Sequence, residues 1–357
     1  MIKEHCFTKE WYQAISKKHK YNDLGIIEKV VRAYSLLDLL AQSGCPYIFK
    51  GGTSVGLILG DGTKRLSIDI DIICPPGTNV EEYLGKIEDF GFTRKELVER
   101  RQAGKDIPKS HSKFFYQIAY TDREDRESYI LLDVLYEDTH YQQVNELPVA
   151  SPYIELDSEP SMVKVPSIGD ILGDKLTAFA PNTTGIPYYK NGNSRSTEIM
   201  KQVYDIGRLF DAVDDLTITT KSFNRIALVE LGYRDLGGNP AIIWDDIRQT
   251  SLLLATRGIE GKGDFDLLQD GIKRLGAFLT EKKYFIEDAI VDSAKAAYVA
   301  TCIEKGLTDI EKYSPEKLSP DMTINKVLSS KLNKLKKSRP EAFYYWYLID
   351  NLLAIVR

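Results

Sequence analysis

The sequence is poor in the residues that build many familiar sites. Its four cysteines, Cys6, Cys45, Cys74 and Cys302, are scattered without Cys-x-x-Cys spacing. That argues against a disulfide framework or a zinc ribbon and makes reduced, cytoplasmic thiols the default. The four histidines, His5, His19, His111 and His140, show no zinc-type spacing and support no Ser-His-Asp triad. Apolar runs fall short of the roughly 18 residues that a membrane span needs. The start of the chain, with Lys3, Glu4, Lys9 and Glu10, lacks the uninterrupted apolar stretch of a secretion signal. An excess of positive charge is missing too. With 47 Lys and Arg against 52 Asp and Glu, the net charge is −5, so any contact with RNA has to use a local basic patch.

What the chain does have is a dense stretch from Tyr47 to Pro75. An apolar run ends in Lys50 and is followed by Gly51-Gly52-Thr53-Ser54, then by Arg65-Leu66-Ser67-Ile68-Asp69-Ile70-Asp71. Two carboxylates one residue apart, among Ile68, Ile70, Ile72 and Ile73, predict a strand with both acids on one face and isoleucines on the other. Lining up two negative charges calls for a cation, and oxygen-ligated Mg²⁺ is the natural one. Upstream, a strand running into Gly-Gly-Thr-Ser and a helix start supplies backbone N–H groups and hydroxyls suited to phosphate. Gly51 and Gly52 allow close backbone approach to the β- and γ-phosphates, and Thr53 adds a hydroxyl. Blander accounts exist for both features: salt bridges from the acids to Lys64 or Arg65, and a simple helix N-cap. Gly51-x4-Gly56 also imitates part of a P-loop, but Leu57 stands where that motif needs lysine.

Farther along, Ile130-Leu131-Leu132-Asp133-Val134-Leu135 places a lone aspartate inside an apolar strand. Such a residue is costly unless paired or metal-bound, and a third carboxylate beside Asp69 and Asp71 is its simplest role. Arg65 flanks the acids, to orient phosphates or to pair with a carboxylate, and Ser67 shares their strand face by parity.

Lys50-Gly51-Gly52-Thr53 followed by Arg65-x-Ser67-x-Asp69-x-Asp71 resembles the signature of the AbiEii/AbiGii toxin family of nucleotidyltransferases, within the DNA polymerase β-like superfamily. The resemblance extends loosely to about Phe210. It implies an α/β (α+β) polymerase β-like nucleotidyltransferase core with a C-terminal helical domain. It also implies a metal site of Asp69, Asp71 and Asp133 holding Mg²⁺ or Mn²⁺, an NTP as substrate, and a cognate antitoxin in a type IV-like toxin–antitoxin or phage-defence system. Lys175-Leu176-Thr177-Ala178 resembles the family's Lys-Leu-x-Ala, which raises the case for Lys175 as a phosphate-facing group over a lysine snorkelling at the core edge. Lys201 and Asp205 match its Lys/Arg-Asp-x-x-Asp element, in which Gln202 here replaces the first acid. By the same resemblance both face the active site; by spacing alone they form an i,i+4 pair on a solvated face.

The rest reads coarsely. A helix is expected over about Thr8–Ala41, a strand at Tyr47–Phe49, a helix at Glu81–Phe90 ended by Gly91, and strands at Phe114–Tyr120 and Tyr129–Tyr136 joined by a charged turn at 122–127. The Asn- and Gly-rich segment Pro181–Arg195 is linker or lid. Helical patterns at Asp264–Glu281, Ile286–Lys305 and Pro340–Val356 suggest a separate helical domain, so the expected division is 1–214 and 215–357. The basic patches are Arg100, Arg101, Lys105, Lys109 and Lys113, in an expected loop, and Lys331 to Arg339 ahead of Phe343-Tyr344-Tyr345-Trp346-Tyr347. Aromatics beside lysines suit base stacking, although such a run on a helix is more often core.

These observations favour a cytoplasmic enzyme that moves an NMP group from an NTP to an acceptor, tRNA or protein, with release of pyrophosphate. Two rivals stand beside it. One is an Asp-x-Asp glycosyltransferase using a nucleotide sugar, which leaves the Gly-Gly-Thr segment and Asp133 without a role. The other is a degenerate nucleotidyltransferase fold that only binds a partner, which leaves the intact acids without one.

Overall fold

Lys20 to Asp23 break what the sequence suggests is one long helix. The computed structural model, which describes residues 1–100, 107–121, 126–280 and 283–355, has α1 at Lys9–His19 and α2 at Leu24–Gln42. Lys20 adopts the left-handed conformation (φ 52°) that ends α1. The Asp23 carboxylate caps α2 by accepting from the Ile26 amide at 3.0 Å. Packing divides the chain into two compact units, Met1–Ser167 with Phe278–Lys282, and Ile168–Ala277 with Lys283–Arg357.

The first unit is built on β1 (Ile48–Lys50), α3 (Gly51–Leu59), β2 (Ile70–Cys74), the short α4 (Val80–Tyr83), β3 (Arg94–Arg100), β4 (Lys109–Gln117) and β5 (Glu127–Tyr136). The five strands form one sheet in the order β1-β2-β5-β4-β3. β2 and β5 run parallel, and the other neighbours are antiparallel. β6 (Val144–Pro148) and β7 (Met162–Pro166) make a separate two-stranded ribbon. Ile70, Ile72, Phe114, Leu132 and Val134 are buried and share a core with Ile27, Val30, Val31 and Leu37 of α2. Each such side chain contributes about 1.5–3 kcal/mol on burial, which fixes one face of the sheet inward. The period of two then turns Asp71, His111, Lys113 and Asp133 to the other face, where all four are half-buried.

β4 begins at Lys109, well before the expected Phe114, and serines at two of its inward positions hide its start from an apolar pattern. Ser110 bonds the Tyr136 hydroxyl at 2.9 Å and Ser112 donates to Glu81 at 2.9 Å, so polar residues occupy core positions and mask the alternation. Of the basic loop expected over 100–113, Lys109 and Lys113 lie on β4 and Arg100 ends β3, the edge strand of the sheet. Arg101 and Lys105 of that loop, and 122–125 of the expected turn, lie outside the described residues. Only α4 and a 3₁₀ turn at Ile87–Phe90 replace the expected helix at Glu81–Phe90, because Lys86 (φ 50°) interrupts it; Gly91 (φ 77°) does end the segment.

The second unit contains α5 (Ile168–Ala178), the hairpin strands β8 (Tyr189–Lys190) and β9 (Asn193–Ser194), α6 (Ser196–Ala212), α7 (Thr217–Tyr233), α8 (Ala241–Ala255), α9 (Phe265–Leu275), α10 (Ile286–Lys305), α11 (Leu335–Ser338) and α12 (Pro340–Ala354). α5 packs along α7, and α6 packs against α9 and α10, so packing groups 168–214 with the helices that follow rather than with the sheet. Gly173 permits the first contact, since a Cβ there would lie 2.9 Å from the Phe223 nitrogen. Phe343, Tyr344, Tyr345 and Trp346 are buried, with Tyr345 packed edge-on to Phe210 at 5.3 Å and stacked on Tyr298 at 5.4 Å. They are core, not a surface for bases. The nearby lysines are engaged as well: Lys331 pairs with Glu260 at 2.9 Å, and Lys336 donates to the Pro320 and Met322 carbonyls. No described helix is long and apolar enough to cross a membrane.

Candidate active site

The acids of the first unit are positioned by strand register. Lys50 of β1 stands opposite Asp71 of β2, Asp71 is level with Asp133 of β5, and Asp133 is opposite His111 of β4. One row across four strands therefore reads Lys50, Asp71, Asp133, His111. The His111 Nδ1 and the Asp133 Oδ1 are 2.5 Å apart, with the side chains 21% and 33% exposed. Sequence reasoning missed His111, because its pairing with Asp133 exists only once β4 and β5 are in register. Asp69 lies just before β2, two residues from Asp71 and on the same side by parity.

α3 starts directly against this row. Lys50 is its N-cap in extended conformation and makes no capping hydrogen bond with its own side chain. The start of the helix carries the partial positive charge that suits an anion. Gly51 has φ 78°, and a Cβ on it would lie 2.0 Å from the Asp71 Oδ2. Only glycine allows that approach. A Cβ on Gly52 would lie 2.5 Å from the Arg65 Nη2 and 2.9 Å from the Ser67 Oγ. Gly51 and Gly52 are thus pressed against Asp71, Arg65 and Ser67, and the sequence's two motifs become one place.

Thr53 has a different task from the one expected. Its buried hydroxyl donates to the Asp69 main-chain carbonyl at 2.6 Å, which ties α3 to the acidic segment. Arg65 is buried, and one of its nitrogens donates to the Leu66 carbonyl at 3.2 Å. The Lys64–Leu66 segment is itself held by residues distant in sequence: Leu66 donates its amide to Phe278 at 2.7 Å, and Thr280 donates its amide to Lys64 at 3.0 Å.

The donor chemistry of the row fits a hard divalent cation, with carboxylates on paired positions of adjacent strands and a glycine where a Cβ would collide with one of them. As the side chains stand, no three His, Cys, Asp or Glu groups among the described residues are gathered as a metal would need. Asp133 is turned to His111.

In the second unit, Lys175 and Asp205 meet. The Lys175 ammonium is 3.1 Å from the Asp205 carboxylate and donates to the Gln202 Oε1 at 3.0 Å. The two charged side chains are 6% and 0% exposed. Asp205 therefore does not sit on a solvated helix face, and Lys175 does not snorkel. Lys201, one turn before Asp205, lies on α6 and is half-buried. The Pro181–Arg195 segment is anchored at its start by Asp246, which accepts from the Asn182 amide at 2.9 Å and the Thr183 hydroxyl at 2.8 Å. It then turns through Asn191 (φ 52°) and Gly192 (φ 76°) as a hairpin.

A family model described as nucleotidyl transferase AbiEii toxin, type IV toxin–antitoxin system, matches residues 35–296, well over half of the chain. Two solved structures are similar at low identity. MenT4, a nucleotidyltransferase toxin from Mycobacterium tuberculosis, is 13% identical with a TM-score of 0.45, covering 95% of this chain and 98% of that one. JHP933 from Helicobacter pylori is 16% identical with a TM-score of 0.42, covering 78% of this chain and 91% of that one. No curated protein matches the chain.

Proposed function

The chain belongs to the AbiEii family of nucleotidyltransferase toxins, and from that membership we propose that it moves a nucleoside monophosphate from an NTP to an acceptor hydroxyl, with release of pyrophosphate. The observation that carries this reading is the single row of Lys50, Asp71, Asp133 and His111 beside the first turn of α3. The α3 amides, with Gly51 and Gly52, receive the phosphates, and Lys50, Arg65 and Ser67 line their approach. Asp69, Asp71 and Asp133 are the residues that would hold Mg²⁺ or Mn²⁺. When bound, such a cation supplies charge neutralisation at the triphosphate and the leaving pyrophosphate. Asp133, oriented by His111, takes the proton of the attacking hydroxyl. The family resemblance also assigns Lys175, Lys201 and Asp205 to the activity, with 1–214 as its catalytic segment in sequence and 215–357 as a helical extension.

The acceptor in this reading is the 3′-terminal hydroxyl of an RNA, tRNA included, in preference to a protein. A cognate antitoxin encoded nearby restrains the enzyme in the cytoplasm, in a toxin–antitoxin or phage-defence role. Supplying each α-labelled NTP together with total cell RNA and protein tests the proposal. Label in RNA with one or more NTPs is the expected result; label only from a nucleotide sugar, or in no macromolecule at all, contradicts it.

A further inference from the structure

The sheet face that carries Asp133 and His111 does not end with them. Moving along the strands, the next pair on that face is Lys113 opposite Leu131, and the one after it is Phe115 opposite Tyr129, with Arg94 of β3 opposite Phe115. Tyr129 is 41% exposed, and its ring lies 5.7 Å from that of Phe115. Cations gather on these rings. The Arg94 guanidinium is 3.4 Å from the Phe115 centroid, and the Lys113 ammonium is 4.7 Å from that of Tyr129. Lys29 of α2 approaches Tyr129 from 5.9 Å.

We propose that this lane, from Asp133 to Tyr129, Phe115 and Arg94, is the platform on which a single-stranded RNA 3′ end lies as acceptor. The inference rests on the reading of the enzyme given above. The phosphate-receiving α3 and β1 are on one side of Asp71 and Asp133 in the sheet order, and the lane is on the other. An acceptor on β5, β4 and β3 therefore meets the acids from the flank that the NTP leaves open. Rings and a guanidinium plane accept bases of any sequence, and the ammonium groups of Lys113 and Lys29 suit the backbone. Arg94 is steadied for this by Glu127 at 3.1 Å and Glu96 at 3.3 Å. The reach is right as well. Four strand residues separate Asp133 from Tyr129, about 13 Å at roughly 3.3 Å each. At about 3.4 Å per stacked nucleotide, that is within four nucleotides of the reacting hydroxyl.

The test compares the wild-type enzyme with Tyr129→Ala, Tyr129→Phe and Lys113→Ala, using α-labelled NTP and RNA hairpins whose 3′ overhangs run from none to eight nucleotides. The inference expects wild-type labelling to rise steeply up to about four overhanging nucleotides and then level off. Tyr129→Ala should raise the KM for RNA about tenfold, with the KM for NTP unchanged, and Tyr129→Phe should restore it. Lys113→Ala should flatten the salt dependence of RNA use. Blunt hairpins used as well as overhangs, or Tyr129→Ala with an unaltered KM for RNA while its unfolding curve matches wild type, overturn the platform and leave the transferase reading standing. Labelled protein in place of RNA overturns the platform too. A wild-type enzyme that transfers nothing from any NTP brings down both.

Discussion

At the scale of single residues, the site depends on contacts that admit few substitutes. Gly51 combines φ 78° with a Cβ position 2.0 Å from the Asp71 carboxylate. Gly51→Ala should therefore displace Asp71, abolish transfer and cost about 1–3 kcal/mol of stability, read by thermal unfolding beside the transfer assay. Lys175 presents a different balance, because it is the partner of a fully buried carboxylate. Lys175→Met takes the ammonium partner away from that buried carboxylate, at a cost of about 3–5 kcal/mol. Lys175→Met combined with Asp205→Leu should regain most of that stability and still transfer nothing; recovered transfer would assign the pair to structure alone. Asp292 of α10 gives a pH signature. Burial pushes its carboxyl up to about 6 although the Arg208 guanidinium stands 2.7 Å away. A folded-state value above the unfolded one means that protonation favours the fold, so this contribution is full below about 4 and is lost as pH rises through about 6. Denaturant unfolding of wild type against Asp292→Asn across that window should show the difference appearing between those limits.

At the scale of elements, what was legible in the sequence and what was not have separate physical causes. Asp69-Ile70-Asp71 announces β2 because its apolar partners alternate with the acids, and the turn from β1 into α3 is announced by its two glycines. Ile73 is the exception: it shares the parity of the acids yet is buried. β4 was half hidden, since Ser110 and Ser112 fill inward positions where apolar residues would signal a strand. With β4 started too late, His111 fell in a supposed loop. The signal existed in the hairpin: Gln117 pairs with Glu127, and counting six residues outward from each reaches His111 and Asp133. The Lys175–Asp205 pair is not legible in the sequence, because no pattern within α5 or α6 reports how the two helices pack. Thr53 gives a test of the α3 to β2 tie. Thr53→Val keeps the shape but removes the bond to the Asp69 carbonyl, and it should cost about 1 kcal/mol and lower kcat more than it changes the KM for NTP.

At the scale of the whole molecule, the chain makes two compact units and returns to the first after leaving it. Phe278 to Thr280 cross back to bind the Lys64–Leu66 segment, so the residues flanking the acids are held by chain more than two hundred positions away. Thr280→Pro removes one of those amides, and hydrogen exchange at Leu66 should accelerate while the amides of α10 keep their protection. All of this serves the claim that one row of side chains beside α3 performs nucleotidyl transfer. The most direct measurement follows α-labelled NTP into acceptor in parallel for the wild-type protein and Asp71→Asn, with Mg²⁺ saturating and equal unfolding temperatures established beforehand. The account predicts label transfer and pyrophosphate release by the wild type and none above background by the variant. Wild-type turnover by Asp71→Asn would contradict it.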